Sequence, residues 1–306
     1  IQGLHHVTSI ASDPQRNNHF FTKALGMRRV KKTVNFDRPD IYHLYYGDGA
    51  GSPGSIVTYF PFPNRTQGSP GTGEVGTTAF TIPIGSLGYW EQRLSDFNAP
   101  ILGKTNLFGK KRLAFQGPDG DYFALEEAEG TTADPWTGNG VPYLAAIGGF
   151  HSVSLRLQKQ RATIELLKFM GYQCIAKEGS VQRFAIENGN RANLIDLETL
   201  PAVAEAQQGA GSVHHVAFAV EDEAAQKEVQ SALKDTGYQV TKVMDRDYFK
   251  SIYFRSPGGV LFEVATNAPG FGRDEQPDDL GLALKLPKQH EHLRSQLEQS
   301  LQPIID

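Results

Sequence analysis

The sequence predicts an α+β protein of four β-α-β-β-β modules, paired into two cup-shaped open barrels. Three observations carry this. The doublet "HHV" at His5–Val7 returns at His214–Val216. Four segments share one order: a strand, a helix, then several strands. Each helix is followed by a glycine or asparagine and a new β-rich run, which is how a repeated supersecondary unit looks in sequence. The modules span residues 1–60, 75–127, 149–197 and 212–266, and residues 267–306 form a C-terminal tail with a helix.

The helices are the clearest elements. In "DPQRNNHFFTKALGM" Asp13 is placed to cap the helix, Pro14 takes the first helical position and Gly26 ends it. "QRATIELLKFMGY" ends at Gly171 and "EDEAAQKEVQSALKDTGY" at Gly237, while "GSLGYWEQRLSDFNA" ends at Asn98. The closing strands follow Pro/Gly turns in "GSPGSIVTYF", "GPDGDYFALEE" and "SPGGVLFEVAT"; "ENGNRANLIDL" keeps the turn without proline. Pro/Gly-rich linkers run from Pro61 to Glu74 and from Gly130 to Pro142. A polar terminal helix carries His290 and His292, read as solvated. One module leaves a bare sheet edge, and pairing two closes a cup.

Composition excludes several classes of function. The 306 residues are 39% apolar and 21% charged, with net charge −4, which fits a globular chain with two ordinary cores. That charge steers it toward neither nucleic acid nor an anionic membrane. No apolar run approaches the ~18 residues of a membrane span. "IQGLHHVTSI" lacks the basic and apolar regions of a secretion signal, so a cytoplasmic location is expected. The single cysteine, Cys174, rules out an internal disulfide framework. It is expected as a small buried apolar residue.

Aligning the four first strands places His6, Thr78, Ser152 and His215 at one position. Strand side chains alternate between faces. In the fourth module His214, Val216, Phe218 and Val220 share one face, while His215, Ala217 and Ala219 share the other. The bulky face should meet the helix and the small face should line the cup, which puts His215 and, by symmetry, His6 inside. Counting from the turns, Glu263 has its equivalents at about Tyr59 and Ala124. A carboxylate among apolar neighbours is costly unless paired or bound to a cation. Two histidines and one carboxylate therefore meet in a metal cup made by the first and fourth modules. With the fourth position empty, coordination sites stay open, the pattern of non-haem Fe(II) oxygen chemistry. His43 and His151 are read as structural.

These residues, with "IYHLYYGD", "IPIGSLGYW", "YFKSIYFRSPGGVLFE" and "LGLALKLP", make the chain resemble the vicinal-oxygen-chelate superfamily of glyoxalases, bleomycin-resistance proteins and extradiol dioxygenases. The resemblance is strongest to its hydroquinone-cleaving branch and spans nearly the whole chain. It implies metal ligands at His6, His215 and Glu263, and His5, Thr8, His214, Arg246 and Tyr253 around them. It implies Fe(II), with Mn(II) as the other candidate, and an aromatic diol of hydroquinone or catechol type with O2 as reaction partners. Tyr253 and His214 would move protons, and Arg246 would stabilise developing negative charge. Strand parity puts His5 and His214 on the far face, and a bulge at the strand start would reconcile the two. The loop from Phe36 to Tyr42 and Phe249 are expected to choose the ring. A homo-oligomer is compatible with the tail helix. The competing readings are a glyoxalase-type isomerase or transferase, which would hold a fourth protein ligand, and a non-catalytic binding protein, which would lack the triad.

Overall fold

The computed structural model describes residues 1–129 and 135–306, so the expected linker from Gly130 lies partly outside the described residues. The first module contributes β1 (Leu4–Ala11), α1 (Pro14–His19), β2 (Arg28–Val34), β3 (Tyr42–Gly47) and β4 (Ile56–Pro61). The second contributes β5 (Glu74–Ile82), α2 (Leu87–Asp96), β6 (Ile101–Leu107), β7 (Lys110–Gln116) and β8 (Tyr122–Glu127). The third contributes β9 (Phe150–Leu157), α3 (Arg161–Phe169), β10 (Gln173–Glu178), β11 (Val181–Ala185) and β12 (Leu194–Thr199). The fourth contributes β13 (Val213–Val220), α4 (Glu223–Asp235), β14 (Met244–Asp245), β15 (Lys250–Arg255) and β16 (Leu261–Thr266). A short α5 (Arg294–Ser300) lies in the tail.

Two curled sheets of eight strands result. One runs β14-β15-β16-β13-β1-β4-β3-β2 and joins the fourth module to the first; the other runs β10-β11-β12-β9-β5-β8-β7-β6 and joins the third to the second. In each sheet the first strands of two modules pair antiparallel at the centre, β1 with β13 and β5 with β9. Local chemistry explains the helix ends. Asp13 Oδ1 accepts from the Arg16 N–H, and Pro14 opens the helix. Asn98 takes φ 54°, the left-handed conformation that Gly171 and Gly237 adopt at the equivalent ends. One apolar cluster, including Phe21, Phe80, Trp90, Phe123, Phe150 and Phe218, draws on both sheets.

Bulges interrupt the central pairs. Across β1 and β13 the register steps from Leu4 to His6 and from His215 to Val213, leaving His5 and His214 as the extra residues. Across β5 and β9 the same two steps leave Gly76 and His151. This corrects two expected equivalences. Thr77, not Thr78, matches His6, because each directly follows a bulged residue. Thr58, not Tyr59, matches Glu263: Thr58 lies beside Thr8, two residues past His6, as Glu263 lies beside Ala217, two residues past His215. Tyr59 points the other way, where its hydroxyl donates to Asp121. A one-residue slip moves a side chain to the opposite face.

Two further expectations are corrected. Cys174 is exposed, because β10 is an edge strand with few side chains packed on it. His290 is not simply solvated; its Nε2 hydrogen-bonds the Phe36 carbonyl at 2.8 Å. No helix among the described residues is long and apolar enough to cross a membrane.

Candidate metal centre

His6 comes from β1, His215 from β13 and Glu263 from β16, three adjacent strands of the first sheet. Their ligand-type atoms all lie within 4.8 Å of one another. The two Nε2 atoms are 3.3 Å apart, and Glu263 Oε2 lies 3.3 Å from His6 Nε2 and 2.8 Å from His215 Nε2. All three residues are buried, with Glu263 at 0% exposure. Two donors at about 2.1 Å from one ion and at right angles to each other stand about 3 Å apart, so the spacing suits a three-ligand face. Glu263 Oε2 has no hydrogen-bond donor of proper geometry, a costly state that a cation relieves. Burial would push this carboxyl up, but His6 and His215 facing it hold it well below the usual range. Ser251 Oγ donates to the other oxygen, Oε1. These residues fit a divalent ion.

The two bulges bring in the outer histidines. His5 Nδ1 is 2.9 Å from His6 Nδ1, and His214 Nδ1 is 2.8 Å from His215 Nδ1. Each inner imidazole thus has its outer nitrogen engaged, leaving Nε2 to face the cup, an arrangement that fixes ring orientation and tautomer at metal sites. Burial pushes His5 down to about 3 and His214 down to about 4, with the neighbouring imidazole adding to each shift. Both outer rings are therefore neutral near pH 7.

Thr8 stands opposite His215 in the β1–β13 pairing, two residues past His6 on β1. Its hydroxyl is hydrogen-bonded to Thr58 Oγ1 at 2.9 Å. Thr58 also meets His43 Nε2 at 2.8 Å, and His43 Nδ1 meets the Tyr45 hydroxyl at 2.8 Å. The fourth position of the cup thus holds a hydroxyl tied into a hydrogen-bonded chain, so His43, read as structural, sits in the cup wall. Arg246 Nε donates to the Tyr253 hydroxyl at 3.3 Å, and the Tyr253 ring lies 5.7 Å from the His215 ring. Burial, then Glu263, push the Tyr253 phenol up. Arg246 stays charged because Tyr253, Asp37 and Glu263 outweigh its burial. Its guanidinium lies 5.3 Å from the Phe36 ring centre, a cation–π distance.

These groups open into a cavity of about 490 Å³ that holds His6, His215 and Glu263 along with His214, Arg246 and Tyr253. Phe36 and Phe249 also line it, and the Phe249 ring lies 5.0 Å from the His6 ring. Sequence reading missed Ser251, Thr58 and Tyr45. Alternation in "KSIYFR" could have found Ser251, since it shares a face with Tyr253.

Comparison with known proteins agrees with this architecture. The model of the family described as Glyoxalase/Bleomycin resistance protein/Dioxygenase superfamily matches residues 3–125 and 153–264. A Bacillus subtilis (strain 168) protein named as a ring-cleaving dioxygenase, MhqO, is 42% identical over 98% of this chain and 96% of its own. The chlorohydroquinone/hydroquinone 1,2-dioxygenase of Sphingobium indicum is 33% identical over 100% of this chain and 98% of its own. A crystal structure described as a dioxygenase of Bacillus subtilis superposes with TM-score 0.96 at 41% identity, covering 99% of this chain and 97% of that one. Glyoxalase I of Zea mays superposes with TM-score 0.67 at 16% identity, over 87% of this chain and 93% of that one, which speaks to the fold alone. With both halves matched and relatives aligned end to end, the chain belongs to the glyoxalase/bleomycin resistance protein/dioxygenase superfamily.

Proposed function

We propose that this protein is a non-haem Fe(II)-dependent, extradiol-type ring-cleaving dioxygenase that opens a hydroquinone-type aromatic diol with O2. The observation that carries this reading is the two-histidine, one-carboxylate face at the base of an aromatic-walled cavity, with a tied-up hydroxyl at the fourth position. The relatives' names support the reaction class. An ion held by His6, His215 and Glu263 would supply a Lewis-acidic, redox-active centre. Mn(II) is the other metal these ligands suit.

The chain's own residues do the rest. The Phe36 and Phe249 rings hold the diol ring at the mouth of the triad. His214 Nδ1 accepts from the Nδ1–H of His215, which leaves the proton of this neutral ring on Nε2, from where it can be donated in a hydrogen bond to a substrate oxygen. Tyr253 keeps its own proton at neutral pH and can donate it to a substrate oxygen, while Arg246 holds the phenol and stabilises negative charge beside it. A glyoxalase-type isomerase is disfavoured because Thr58 stands where the fourth protein ligand would be.

The test is oxygen uptake by protein loaded anaerobically with Fe(II), using 2-methylhydroquinone and catechol, with His215→Ala as control. Uptake with a ring-opened product, lost at least about 100-fold in the variant, supports the reading. Stoichiometric metal with no uptake on either diol would sink it.

A further inference from the structure

The cavity reaches well beyond the triad, and its far part is apolar. Ile10 lies on β1 four residues past His6 and on the same face, so it stands about 13 Å farther along the strand. Phe60 on β4 is the partner of Ile10 in the sheet register, and Phe62 follows two residues later. Leu261 opens β16, two residues before Glu263. All four line the same cavity as the triad, which ends at the exposed Gln208 and Arg65. Phe60, Phe62 and Leu261 are only partly buried, so each leaves part of a large apolar side chain facing the cavity. A pocket of about 300–1,000 Å³ encloses a drug-sized ligand. At about 490 Å³ this one exceeds what a single six-carbon ring fills.

We propose that the aromatic ligand of this site carries an elongated alkyl substituent, which lies in a trough walled by Ile10, Phe60, Phe62 and Leu261. The inference rests on the ring-cleavage reading for the identity of the ring, but the trough is a separate feature. Specificity is then set on β1, β4 and β16, and not only by the Phe36 loop and Phe249. The open end at Gln208 and Arg65 places no cap on chain length.

The experiment is an anaerobic calorimetric titration of the Fe(II)-loaded protein with hydroquinone and its 2-methyl, 2-butyl and 2-hexyl derivatives. Oxygen uptake on the same four compounds follows. Each methylene that enters the trough is expected to lower Kd by roughly three- to fourfold. In Leu261→Asp and Phe62→Asp, both at partly exposed positions, the methyl-to-hexyl Kd ratio should shrink at least tenfold. A Kd independent of chain length overturns the trough even if all four compounds are turned over. Chain-length-dependent binding without oxygen uptake keeps the trough and overturns the ring-cleavage reading.

Discussion

Glu263 shows at the scale of one residue why a buried charge marks a site. Its carboxylate is fully buried, and Oε2 lies against the Nε2 atoms of His6 and His215. Without a cation that arrangement costs stability; with one it becomes the strongest local contact. Metal and mutation should therefore have coupled effects. Saturating metal at about 100 times its Kd stabilises the wild type by about 2.7 kcal/mol, or about 5 °C in melting temperature. Glu263→Gln keeps the Ser251 hydrogen bond but removes the charge. It should gain less than about 1 °C from metal and, in chelator, melt no lower than the wild type. Differential scanning fluorimetry with and without chelator checks both. A variant that melts far below the wild type in chelator would show that the carboxylate is structural.

At the scale of elements, the bulges and the tail position what the strands carry. A strict two-residue period sends His5 and His214 away from the cup. The extra residue in each strand breaks the period once and lets the inner and outer imidazoles touch. The same pair of bulges in the second sheet shows that the device belongs to the repeated module. The tail acts on the cavity from outside. Gln289 Nε2 donates to the Phe36 carbonyl at 3.0 Å, beside the His290 contact to the same oxygen. Phe36 in turn faces Arg246 across the cavity mouth. Replacing both Gln289 and His290 by alanine should loosen that wall. The expected result is a KM raised about two- to fivefold with metal content unchanged, read by steady-state oxygen uptake and elemental analysis. An unchanged KM would remove the tail from the site.

Across the whole molecule, two related cups have taken different contents. In the second sheet Ser152 stands where His215 does, and Asp196 stands where Glu263 does, two register steps beyond it. Arg183, the strand partner of Asp196, holds that carboxylate through Nε at 2.7 Å and a terminal nitrogen at 2.8 Å. Glu126 lies 3.1 Å from His151 Nε2 and 3.6 Å from both Arg183 and Arg112. Buried ion pairs of this kind fill the second cup. Removing one partner leaves an uncompensated buried charge, so Asp196→Ala should cost about 3–5 kcal/mol, at least about 6 °C in melting temperature. Metal content should be unaffected, since the triad lies wholly on the other sheet. Loss of metal together with stability would mean that the two cups are coupled.

Much of this was determined by the sequence alone. Repetition of "HHV" and of the helix-end glycines revealed the modules, because a duplicated unit keeps its turn chemistry where the backbone needs a left-handed residue. The three ligand candidates were legible because histidine on a small-residue strand face and glutamate in an apolar strand are both costly without a shared partner. Register was left to the tertiary structure. Whether Thr58 or Tyr59 faces the cup depends on one residue in a turn. Whether His5 and His214 reach their neighbours depends on one bulged residue in each strand. Strand period is local and readable; the offset between strands is set by how two sheet faces bury their apolar side chains, which only the folded chain decides. The content of the cups belongs to the same level. Half-buried Phe62 and Leu261, the His43–Thr58 chain and the Arg183–Asp196 pair come together from distant segments, so no single stretch of sequence announces them.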